Sequence, residues 1–87
     1  MTTSETETRI AQAIMSLLRQ RNGTICPSEA ARSVAPDDWR DLMPLVREIG
    51  ARLQDDGVLR VTQKGEEVSP MQVKGPIRFG RGPKFED

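Results

Sequence analysis

Between Trp39 and Gln63 the chain changes its apolar period. Trp39, Leu42, Met43, Val46, Ile49 and Leu53 recur at helical spacing and form one stripe. From Val58 to Gln63 the pattern alternates, with Leu59 and Val61 on one side and Arg60 and Thr62 on the other, as in a half-buried strand. Asp55-Asp56-Gly57 closes the helix, and Gln63-Lys64-Gly65-Glu66 reads as a hairpin turn before a short return through Glu67-Val68-Ser69. A long amphipathic helix followed by a hairpin excludes all-helical and all-strand architectures.

Two more helices precede it. Ser4 and Glu7 form the S-x-x-E capping pattern, and Ile10, Ala13, Ile14, Leu17 and Leu18 share one face, so a helix is predicted from Glu5 to Gln20. Asn22-Gly23 is expected to end it, because both tolerate positive φ. Thr24-Ile25-Cys26 reads as a short extended piece. Pro27 suits the first turn of a second helix, predicted from Pro27 to Val34 with Ala30, Ala31 and Val34 inward. Ala35-Pro36 stops it, and Asp37 is the expected cap of the third helix. Pro44 lies inside the third stripe and predicts a kink or break near Leu42-Met43. Ile77 and Phe79 offer one further inward pair.

The chain has 87 residues, enough for one domain, with 13 basic and 13 acidic groups. Ile, Leu, Val and Phe supply 19 residues, which supports a small folded core. Helix, short strand, helix, turn, helix, strand and hairpin describe a mainly α, α+β winged helix-turn-helix, three helices plus a wing. Its expected core joins Ile14, Leu17, Leu18, Val34, Trp39, Leu42, Val46, Ile49, Leu53, Leu59 and Val61. Residues 1–4 are expected to be disordered, 5–79 to form the domain, and 80–87 to form a flexible tail.

Composition narrows the chemistry. There is no histidine, which removes histidine-assisted nucleophilic catalysis and the commonest metal ligand. The single cysteine, Cys26, makes neither an internal disulfide nor a cysteine-rich zinc site. It reads as a partly buried N-cap residue rather than a reactive thiol. No apolar run is long enough for a membrane span, and the polar start MTTSETETR lacks a signal-peptide core. The expectation is a cytoplasmic, non-enzymatic protein with no cofactor, metal or membrane partner.

Several spaced segments resemble a known family: ICPSEAAR (Ile25 to Arg32), APDDWRDLMPLVR (Ala35 to Arg47), VTQKG (Val61 to Gly65) and GPIR (Gly75 to Arg78). They look like the bacterial domain-of-unknown-function family 3253, over roughly Ile10 to Phe79. The resemblance implies a small standalone winged-helix protein and carries over no activity and no catalytic residues.

Charge placement supplies the functional candidates. Residues 58–84 hold six basic and two acidic groups, a net +4, and the rest of the chain balances them at −4. The third helix aligns Arg40, Pro44, Arg47, Ala51 and Gln54 on one stripe. Arginine and glutamine there suit base edges in a major groove. Lys64 at the hairpin tip, with Arg60, Lys74, Arg78 and Arg81 nearby, suits phosphate contact. The nucleic-acid-binding candidates are therefore Arg40, Arg47, Gln54, Lys64, Lys74, Arg78 and Arg81, with double-stranded DNA as partner. Against this stand the acidic neighbours Asp41, Glu48 and Asp55, which read equally as members of surface ion pairs. The alternative is a protein-protein interaction module without nucleic-acid binding. Trp39 is expected in the core rather than as an exposed anchor, and Asp37, Asp38 and Asp41 read as dipole complement rather than a metal site.

Overall fold

The computed structural model describes residues 4–86, so of the expected disordered N-terminus residues 1–3 lie outside the described residues. The first helix, α1 (Glu5–Arg19), starts at Ser4, whose Oγ accepts the Glu7 N–H at 3.1 Å. Ile10, Ile14 and Leu18 fall four residues apart and are its buried line. Its other end departs from expectation. Gly23 does not take positive φ, and Gln20 is the C-cap. The Arg81 guanidinium instead donates to the carbonyls of Leu18 (2.6 Å) and Arg21 (2.9 Å). A cation placed there also complements the negative end of the helix dipole.

The extended Ile25 exchanges two backbone hydrogen bonds with Phe79, at 2.8 and 2.9 Å. Cys26 is the N-cap of α2 (Pro27–Val34), and the Glu29 carboxylate reaches back to accept the Cys26 N–H at 2.8 Å. Glu29 also pairs with Arg21. Its carboxyl is held below the ordinary glutamate value, first by the hydrogen bond from Arg21 and then by the Cys26 N–H. The unfolded chain therefore binds this proton more readily. The stabilisation is complete above the unfolded glutamate pKa and is lost as pH falls through the folded one. In urea titrations, Glu29→Gln should lower the midpoint at neutral pH, and its difference from the parent chain should vanish in acid below that folded value. A difference that persists there would refute the assignment.

The third helix, α3 (Trp39–Asp55), corrects two expectations. Its N-cap is Asp38, not Asp37, and no side-chain cap bond forms; a backbone turn from Ala35 to Asp38 leads into it. The helix runs unbroken across Pro44, whose ring lies on the exposed side. Its C-terminus is a Schellman motif. The Val58 N–H bonds to the Leu53 carbonyl and the Gly57 N–H to Gln54, with Gly57 at φ 81°.

The hairpin expected from the alternation is part of a larger unit. β1 (Leu59–Gln63) is the centre of a three-stranded antiparallel sheet, flanked by β2 (Glu66–Glu67) and β3 (Arg78–Arg81). Lys64 and Gly65 form the two-residue loop, both at positive φ (53° and 86°), which matches the twist of a tight hairpin. β3 places Phe79 opposite Val61. The expected domain boundary at residue 79 thus falls inside a strand. Beyond β3, Gly82 and Lys84 donate backbone bonds to Val58 and Gly57, and Phe85 packs against the core.

Three helices under a small sheet make an α+β domain of winged-helix-like arrangement. The buried core holds Ile14, Leu18, Val46, Ile49, Leu59 and Val61 as expected. Leu17, Val34, Trp39, Leu42 and Leu53 are only partly buried around it. Ile10, Ile25, Ala30, Ala31, Ile77 and Phe79 complete the buried set.

Candidate interaction surface

The seven candidate polar residues separate into two groups. Arg47 points its guanidinium across to the chain that leads from β2 to β3. Nε donates to Pro70 O (3.2 Å), Nη2 to Val73 O (2.7 Å) and Nη1 to Gly75 O (3.2 Å). Two turns further along α3, Gln54 Nε2 donates to Val68 O at 2.7 Å. Arg78 bonds to the Thr24 hydroxyl and carbonyl, and Arg81 to the end of α1. These four side chains satisfy backbone or hydroxyl groups of the protein itself. Arg40, Lys64 and Lys74 are exposed, and no ion pair among the described residues includes them. The other wing cation, Arg60, lies 3.8 Å from Glu67 on the neighbouring strand.

The Arg47 clamp shapes a surface that the sequence did not announce. Segment 68–76 has little regular structure and is held by Arg47, Gln54 and Gln63, the last donating to the carbonyls of Lys74 and Pro76. It comes to rest beside α3. Between them runs an open groove of about 370 Å³ lined by Met43, Pro44, Arg47, Pro70, Met71 and Val73. Met71 is 60% exposed, the one large hydrophobic so exposed among the described residues. The flexible thioether of Met71 lies at the rim of this groove, beside the apolar side chains that line it.

At the N-terminal end of α3, Trp39 is half-buried. The guanidinium of Arg32 lies 4.4 Å from the indole centroid and that of Arg40 lies 4.5 Å away. The indole packs against the core as expected, but it also carries two cations at its surface, a role the periodicity did not suggest. Each such stack is worth about 0.5–1 kcal/mol at an exposed site. Asp41, Glu48 and Asp55 are exposed on the flank of α3 that meets α1. Arg52 bonds Glu48 at 2.8 Å and reaches Glu7 of α1 at 3.4 Å, so the ion-pair reading of this flank holds for Glu48.

A second cleft of about 380 Å³ separates α1 from α2, lined by Arg9, Gln12, Ala13, Ser33 and Val34. Arg9 is paired with Glu5 at 3.2 Å. Cys26 is half-buried with Sγ 3.2 Å from the Ser28 hydroxyl. Among the described residues no group of three or more histidine, cysteine, aspartate or glutamate side chains is placed to hold a metal ion, and no helix is long and apolar enough to cross a membrane.

These features define a small winged-helix-like α+β domain whose third helix and inter-strand segment enclose an apolar groove. Residues 7–82 match the family described as protein of unknown function (DUF3253), and the chain belongs to that family. No curated protein matches it in sequence.

Proposed function

We propose that this domain is a protein-interaction module without enzymatic activity, docking its partner in the groove between α3 and segment 70–75. The observation that carries the reading is the interruption of the expected cationic face. Between Arg40 and the wing lysines stand Met43, Pro44, Met71 and Val73. Phosphates gain nothing from such a floor, whereas a protein segment buries its apolar side chains there. Arg47 and Gln54, the residues best suited to base edges, already donate to carbonyls of segment 68–75.

DNA association through the wing is the second reading, favoured by the free Lys64 at the hairpin tip and by Lys74. The two readings differ in salt dependence. Each neutralised phosphate contributes a slope of about −0.9 in log affinity against log salt. Contact through Arg40, Lys64 and Lys74 alone gives a slope of about −3, and six contacting cations give about −5. Fluorescence anisotropy with duplex DNA across a salt series should show weak binding with the shallow slope. Tight binding with the steep slope, abolished by charge removal at Lys64 and Lys74, would overturn the protein-interaction reading.

A further inference from the structure

We draw no further inference here: the strongest candidate, the open groove between α3 and segment 70–75, belongs to the surface already described, and nothing in the structure shows what covers it.

Discussion

Phe79→Ala should destabilise the domain by about 3–5 kcal/mol, read from urea unfolding. A domain of this size has roughly 4–13 kcal/mol in total, so the variant should be partly unfolded at physiological temperature. Phe79 is the largest fully buried side chain and sits on β3 where three elements meet. It faces Val61 across the sheet, bonds Ile25 through both backbone groups, and presses its ring against Gly50 of α3. A Cβ built at Gly50 would lie 2.5 Å from the Phe79 Cζ and 2.8 Å from Cε1. Gly50→Ala should therefore cost at least about 1–3 kcal/mol by overpacking, although alanine is the better helix former. The two costs are coupled. In a Phe79→Leu background the shorter side chain withdraws, and Gly50→Ala should become nearly neutral. Strictly additive costs would show that the ring is not what requires glycine at residue 50.

Arg47→Gln is the second large effect, and it bears on function as well as on stability. Removing three charge-assisted bonds to Pro70, Val73 and Gly75 should cost about 2–3 kcal/mol. Hydrogen exchange and limited proteolysis should show segment 70–75 released while α1 and α2 keep their protection. Arg47→Lys should rescue little, since an ammonium lacks the planar fork that reaches three separate carbonyls. Were Arg47 a reader of base edges instead, its replacement would leave the stability unchanged and weaken DNA binding. Parent-like stability of Arg47→Gln would remove the clamp and, with it, the fixed wall of the groove.

Local physics carried most of the fold from residues to elements. The S-x-x-E cap at Ser4, Pro27 at the start of α2 and the switch from helical to alternating period after Leu53 are each decided within a few residues. The structure places all of them where those rules do. What local reading missed depends on partners distant in sequence. Asn22-Gly23 looks like a left-handed helix stop, but the helix ends at Arg19 with Gln20 as its C-cap, and Arg81 donates to carbonyls at that end. Ile77 and Phe79 alternate as an inward pair, but the stretch is short and glycine-rich, and only the pairing of Phe79 with Val61 and Ile25 fixes Arg78–Arg81 as the third strand. Pro44 suggests a break, yet the helix continues with the proline ring on its outer side.

The candidate site was less legible for the same reason. Arg47, Gln54, Arg78 and Arg81 have the residue types that bind nucleic acid. Composition does not distinguish a guanidinium aimed at solvent from one aimed at a carbonyl more than twenty residues away. Arg40, Lys64 and Lys74 remain outward as their positions suggested. Met71 and Val73 gave a faint signal, two apolar residues after Pro70 outside any helix or strand, and Arg32 gave none until α2 brought it over Trp39.

The bond from Arg81 to the Leu18 carbonyl joins residues 63 positions apart. On the ribosome this bond forms only after residue 81 has emerged, so one contact at the end of the first helix is among the last that the chain makes.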